Sequence, residues 1–505
     1  MKQDNLSKKN QSDWALFLPA MSSFYISGIG KQMSGENYFD PTRMPKGIPD
    51  SDMLNFFSSK GLYNYKWCLY SAGHADLDVN KPSANDAVIR QRESDTFVLG
   101  DSGGFQIFTG QWPGDWKDPN CPKAAKKRAE VLSWLEEYSD YAMTLDVPSR
   151  IEFSAPEIKK ITGIYSYADA VKATHINNEF FIQNRVPDKC KFLNVLQGGN
   201  HTESEDWYQE MKKYCDPKQY PDTYFNGWAA GGMNVQDIEL ILKRLVTIID
   251  DGLLEQGKHD WVHYLGTSWL EYAVMFTAIQ RAVRKHHNPQ FTISFDCASP
   301  FYGAAKGQMY YQNRHEHNQK WSYKMMSTAE NKKYAGDARK FSTAVLAEGI
   351  HPSFTDSPVT AQMTLGDLCY RGVGALSKHG KPTKTSWDTL SYVLVQSHNV
   401  WMHINSVQEA NRKFDKGVMP KMMIEERFDR VYIADVVDQI FAAKDKTKSM
   451  KLIADHAWIW AKFRGEKPNS MTLYNTLYGE APTEVEDPAV IEECDIEATL
   501  AETID

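Results

Sequence analysis

No stretch of the sequence approaches the roughly 18 uninterrupted apolar residues that a membrane-spanning helix needs. The longest N-terminal apolar run, Trp14 to Met21, follows a long polar lead, so a soluble chain without a signal peptide is expected. Cysteine is scarce and dispersed: Cys68, Cys121, Cys190, Cys215, Cys297, Cys369 and Cys494 stand singly, with no CxC or CxxC pair. That spacing excludes a disulfide framework and a closed cysteine zinc cluster, and it fits a reducing cytoplasm. With 31 Gly and 22 Pro in 505 residues, the chain is neither collagen-like nor compositionally disordered. A basic excess is also missing. The formal charge is −8, but ten acidic residues and no Lys or Arg fall between Glu480 and Asp505, and setting them aside brings the body to +2. The body is therefore near neutral, with an acidic tail.

What is present is ordinary globular material, 42% hydrophobic and 24% charged, long enough for one large domain with additions. Short β-branched or aromatic runs alternate with amphipathic helical stretches, the pattern of βα units around a parallel sheet. The runs are Lys66–Ser71, Thr96–Gly100, Tyr141–Leu145, Lys191–Leu196, Tyr224–Ala229, Trp261–Leu265 and Phe291–Phe295, with Lys320–Met325 as a weaker eighth. Helices are expected over Lys126–Tyr138, Ala168–Gln183, Ser204–Tyr214 and Ile238–Ile249. Capping boxes are read at Thr202 with Glu205 and at Asn234 with Asp237, which makes Asp237 a helix N3 residue. Seven or eight such repeats over about 260 residues match the size of an α/β (β/α)8 TIM barrel, and a doubly wound open sheet is the alternative. Beyond residue 330 helical patterns dominate, as in Ser386–Gln408 and Ala434–Ala443. The expected organisation is an N-terminal extension over 1–60, a barrel over 61–330, a helical C-terminal region over 331–479 and an acidic tail over 480–505.

The chemistry-bearing residues follow the strands. Asp101 comes after Phe97–Gly100, Asp146 after Ala142–Leu145, Gln197 after Asn194–Leu196 and Asp296 after Ile293–Phe295, while Gly231–Gly232 and Gly266 end two further strands. C-terminal strand ends converge on one pocket in a βα barrel. Three carboxylates, an amide and bare glycine backbone there suit a polar planar ligand and acid/base or nucleophilic work. Each aspartate taken alone is equally a turn former or helix cap.

The run Asp101-Ser102-Gly103-Gly104-Phe105-Gln106 resembles the DSGGFQ signature of the tRNA-guanine transglycosylase superfamily. The resemblance continues in order through Asp146, Gln197-Gly198-Gly199, Gly231-Gly232, Tyr264-Leu265-Gly266 and Phe295-Asp296-Cys297. It covers roughly residues 60 to 300, with a similar Ser397-His398-Asn399 helix beyond. It implies a barrel enzyme that exchanges guanine in a nucleic acid for a 7-deazaguanine base without a cofactor. Asp296 would be the nucleophile, forming a covalent aspartyl-nucleotide intermediate, and Asp101 the acid/base. Phe105 would stack on a flipped-out base, Asp146 would accept its N–H groups, and Gln197 and the Gly232 amide would reach its carbonyl. Gly103, Gly104 and Gly231 would let backbone approach the ring, with Ser102 and Tyr264 as further base-binding positions.

Two departures separate the chain from the tRNA-directed enzymes. Their CxCxxC cluster and later histidine bind zinc, whereas here only Cys369 precedes His398, so no metal is expected and His398 reads as a helix residue. Their arginine-bearing loop after the nucleophile is replaced by Cys297–Lys306, with no arginine before Arg314. Both features resemble the DNA-directed branch found in phages and bacterial DNA-modification clusters. DNA is therefore the expected partner, with tRNA the alternative, and a nitrile-bearing 7-deazaguanine such as preQ0 is the expected incoming base. A non-catalytic nucleic-acid-binding accessory subunit is the reading from another class. If phage-encoded, the chain would act in the host cytoplasm. Phosphate contacts would come from Lys123 with Lys126-Lys127-Arg128, from Arg281 with Arg284-Lys285-His286-His287, or from Lys332-Lys333.

Overall fold

Alternation along short strands sorts side chains between two environments, and the strands close on themselves. The computed structural model describes residues 4–5, 13–36, 38–327, 332–344, 353–369, 387–425 and 431–463. The expected acidic tail lies outside them. Eight parallel strands form the wall: β1 (Leu16–Pro19), β2 (Trp67–Ser71), β3 (Phe97–Asp101), β4 (Tyr141–Met143), β5 (Lys191–Leu196), β6 (Gly227–Ala230), β7 (Trp261–Tyr264) and β8 (Thr292–Cys297). Each pairs with the next from β2 to β8, and β8 pairs with β1 in the register Asp296 to Leu18. The ring is completed by a parallel bridge between Ala20 and Leu69, where the Met21 N–H donates to the Leu69 carbonyl at 3.0 Å. The fold is the expected α/β (β/α)8 barrel.

The eighth strand is not the expected one. Residues 322–327 do extend, but as one arm (Ser322–Ser327) of an antiparallel hairpin with Gln308–Arg314 outside the barrel. The missing wall strand is β1, drawn from the segment expected to be an extension, so the barrel runs from Leu16 to Cys297 and not from residue 61. Its brevity and its apolar character on both faces hid it. Leu16 and Leu18 enter the interior, while Phe17 stacks outward on His403 at 4.5 Å. A strand buried on both sides carries no alternating pattern.

Period two puts Leu16, Leu18, Leu69, Leu99, Met143, Leu193, Val195 and Ala229 inside the barrel, in a cluster of their own. At its N-terminal end the aromatic rings of Trp67, Phe97, Tyr141 and Trp261 close the bore, with Phe97 stacked on Trp261 at 5.0 Å and 10°. Apolar packing ends below the C-terminal strand ends, where the inward positions become Ser71, Asp101, Gln197 and Asp296.

Helices pack the outside: α1 (Ser23–Met33), α2 (Pro122–Tyr138), α3 (Tyr167–Asn184), α4 (His201–Met211), α5 (Ile238–Asp250) and α6 (Leu270–His286). The capping differs from the expectation at two of them. Asn200, not Thr202, caps α4 by accepting from the Glu203 N–H at 2.9 Å. Asp237 is the N-cap of α5, accepting from the Glu239 and Leu240 N–H groups, and not its N3 residue. In the C-terminal region α7 (Thr389–Asp415) is capped by Asp388 and touches β1, α1 and α6, and α8 (Ile433–Ala442) lies against α6. Among the described residues no helix is long and apolar enough to cross a membrane.

Candidate active site

A cavity of about 530 Å³ opens at the C-terminal end of the barrel. Its wall carries Asp101, Gly104, Phe105, Asp146, Gln197, Gly231 and Gly232, so most of the residues singled out by strand-end position do meet. Asp101 ends β3 with its side chain inward and accepts from Ser71 Oγ at 2.5 Å. The turn that follows depends on Gly103, whose φ of +81° begins the short helix Gly104–Phe108. Gly104 sits so close to the next loop that a Cβ there would lie 2.8 Å from the Asp146 carbonyl oxygen. Phe105 projects from this helix, half-buried, and stacks on Phe108 with centroids 5.8 Å apart.

Asp146 is 6% exposed and accepts from Gln197 Nε2 at 2.8 Å. Burial pushes its carboxyl up to about 7, against the lowering effect of the Gln197 bond, and the nearby Asp101 charge adds to the rise. Gln197 is backed by Gly231, where a Cβ would approach its Nε2 to 3.0 Å. Asn234, expected to begin a capping box, instead fastens these loops together. It is buried, its Nδ2 donates to the carbonyls of Gln197 and Gly231 at 3.1 Å each, and its Oδ1 accepts from Ser204 Oγ at 2.6 Å.

Asp296 lies one layer behind the wall. It is wholly buried, and its Oδ1 accepts from His263 Nε2 and from the Gly266 N–H, both at 3.0 Å. Its Oδ2 is buried and has no hydrogen-bond partner. Gly266, Leu265 and Ala298, which surround it in sequence and strand register, do line the cavity.

Three of the expected base-binding positions are elsewhere. Ser102 is fully buried and donates to the Thr144 carbonyl at 3.0 Å, holding β3 to the loop after β4. Gly103 shapes the turn without reaching the wall. Tyr264 faces away from the bore and stacks on Phe276 at 4.6 Å and 8°. The inward residue beside it is His263, which went unread; counting alternate positions from Trp261 would have found it. Ser71, His74, Arg150 and Phe153 also line the cavity, and Phe153 is 80% exposed at its mouth. Ser71 was available from the same strand parity, whereas Arg150 and Phe153 lie on a 3-10 turn, Ser149–Phe153, with no motif to mark them.

The clusters expected to meet phosphate are largely engaged within the fold. Arg128 is buried and donates to Asn177 Oδ1. Lys126 and Lys127 pair with Glu130, Arg281 with Asp13 and Asp415, and Lys285 and His286 with Asp438. His398 is fully buried in α7, bonded to Ser357 Oγ and the Tyr310 carbonyl, and burial pushes it down to about 4. Among the described residues no group of three or more His, Cys, Asp or Glu side chains is arranged to hold a metal ion.

Fold and site together define a (β/α)8 barrel with a paired-carboxylate cavity at its C-terminal mouth and a buried third carboxylate beneath. No protein-family model matches the chain, and no curated protein matches it.

Proposed function

We propose that the chain is a guanine transglycosylase that exchanges guanine in DNA for a 7-deazaguanine base. The observation that carries this reading is the facing set of Asp146, Gln197 and Phe105 beside Asp101 and in front of Asp296. The hydrogen-bonding edge of guanine offers two N–H donors next to one another and a carbonyl. An ionised Asp146 accepts the former, and the remaining N–H of Gln197 Nε2 reaches the latter. Phe105 supplies a face for stacking, and the cavity has room for one extruded nucleotide and not for a duplex. A plain glycoside hydrolase would also use paired carboxylates but leaves this base-shaped set unexplained.

In the first step Asp296 Oδ2 bonds to C1′ as the bond from C1′ to guanine breaks, and Asp101 gives the departing base its proton. In the second, the incoming base loses a proton to Asp101 and attacks C1′, which releases the Asp296 carboxylate. Because Asp296 sits behind Leu265, Gly266 and Ala298, the reaction requires that layer to part when a nucleotide enters. DNA is favoured over tRNA because the segment Cys297–Lys306 carries no arginine for bidentate contacts.

The test is base exchange. Purified protein is given guanine-labelled duplex DNA or tRNA in separate reactions with preQ0 or an amine-bearing 7-deazaguanine, and the nucleosides are analysed by mass. Incorporation into DNA that vanishes in Asp296→Ala supports the proposal. Incorporation into tRNA alone overturns the DNA assignment, and no exchange in either reaction overturns the activity in favour of an accessory role.

A further inference from the structure

Among the described inward side chains of the barrel, one chain of hydrogen bonds runs from the N-terminal end of the bore up to Asp296. Trp261, His263 and Ser294 all occupy inward positions on β7 and β8, and both His263 and Ser294 are 0% exposed. Trp261 Nε1 lies 2.7 Å from Ser294 Oγ, the same Oγ lies 2.8 Å from His263 Nδ1, and His263 Nε2 lies 3.0 Å from Asp296 Oδ1.

An indole N–H only donates, so Ser294 Oγ accepts from Trp261. The arrangement that leaves no polar hydrogen stranded then has the Ser294 hydroxyl donating to His263 Nδ1 and the His263 Nε2–H donating to Asp296. Every member is a stiff or short side chain on a wall strand. The imidazole is thereby held in one tautomer and orientation by groups that never meet the cavity.

We propose that His263, fixed by Ser294 and Trp261, is a positioning residue that orients Asp296 for nucleophilic attack. The inference rests on the reading of Asp296 as the nucleophile. Together with the Gly266 N–H it puts two donors on Oδ1 and leaves Oδ2 as the only carboxylate oxygen without a partner. When Oδ2 bonds to C1′, Oδ1 becomes the carbonyl oxygen of the aspartyl ester and keeps both donors. When the ester is displaced, the same donors receive the returning negative charge, so the Asp296 carboxylate becomes a better leaving group. A purely structural histidine would contribute packing to the barrel but would have no effect on the partition between chemistry and base binding.

The experiment compares wild type with His263→Leu, His263→Gln and Ser294→Ala, each checked for native near-ultraviolet circular dichroism. Two readouts are taken: formation of a covalent protein–DNA adduct with guanine-containing duplex in the absence of incoming base, and steady-state exchange with preQ0. Removing one such donor is expected to slow adduct formation and kcat about 100-fold in His263→Leu, with the KM for preQ0 within about twofold because Asp146 and Gln197 are untouched. His263→Gln keeps an N–H at similar reach and is expected to recover most of the rate, while Ser294→Ala falls between them. Should His263→Leu fail to fold, Ser294→Ala decides, and a wild-type rate there overturns the proposal. Wild-type rates in His263→Leu, a loss confined to KM, or His263→Gln no better than His263→Leu would each overturn it also. If wild type forms no adduct and exchanges no base in DNA or tRNA, the nucleophile reading falls first, before any variant is compared.

Discussion

Replacing Asp146 with asparagine is expected to stabilise the protein at alkaline pH while weakening its hold on the base. In the unfolded chain Asp146 ionises near its ordinary value of 3.8, whereas in the fold burial keeps it protonated up to about 7. Between those values the unfolded state gives up a proton that the folded state retains. Stability is therefore undiminished below about pH 4, falls as pH rises, and is lowered by the full amount above pH 7. At about 1.4 kcal/mol per pH unit, the difference between 3.8 and about 7 sets a ceiling of roughly 4 kcal/mol. The value of about 7 already includes the bond from Gln197; water reaching the cavity reduces the net cost further, and about 2 kcal/mol is expected. Asparagine presents the same carbonyl oxygen to Gln197 Nε2 and cannot ionise, so it escapes the loss. Urea unfolding at pH 8.5 and at pH 4.5 measures it: the variant should be about 2 kcal/mol more stable than wild type at the first and within about 0.5 kcal/mol at the second. An equal gap at both values, or a variant less stable at pH 8.5, would refute the assignment of a buried, neutralised carboxyl.

The same group sets the pH dependence of base binding. Guanine affinity, followed by calorimetry, should drop about tenfold per pH unit below pH 7, because only the ionised Asp146 accepts both N–H donors, and Asp146→Asn should flatten that dependence. Tyr264→Phe should keep base exchange within about twofold of wild type, since its ring packs on Phe276 away from the cavity, whereas Tyr264→Ala should cost roughly 3–5 kcal/mol of stability in denaturant unfolding. Phe17→Ala should cost a similar amount, about 3–5 kcal/mol, because Phe17 is fully buried between His403 and Phe295 at the barrel seam. A protein that unfolds like wild type after that change would show that β1 is dispensable.

Seven wall strands were legible in the sequence because each is a compact apolar run ended by a polar or glycine residue, as in Val98-Leu99-Gly100-Asp101. The eighth, Leu16–Pro19, was not, because four residues apolar on both faces lack any period and lie far in sequence from β2. Lys320–Met325 carries a genuine strand signal in its polar alternation, but the strand belongs to an antiparallel hairpin packed outside the barrel. The cavity residues Asp101, Phe105, Asp146 and Gln197 were readable from strand-end position and motif. Tyr264 and Ser102 show the limit of that approach: neighbours in a motif point to opposite sides of a strand, and only parity tells wall from cavity. Asn234 looked like a helix cap because asparagine bonds backbone groups wherever it sits, and here the groups belong to the loops after β5 and β6.

The seam between β1 and β8 also sets a timetable for the growing chain. Once β2 has followed it from the ribosome, β1 has one wall-strand neighbour, joined to it by the Ala20 to Leu69 bridge. The partner that covers its other edge follows about 280 residues after β1, which at 5–20 residues per second is a wait of roughly 15–55 s. For that interval Leu16, Phe17 and Leu18 form an unpaired apolar edge, the kind of segment that adds to other strands. The strand's four-residue length and the terminal Pro19, which has no N–H to offer, limit how far such pairing can spread before synthesis reaches Cys297.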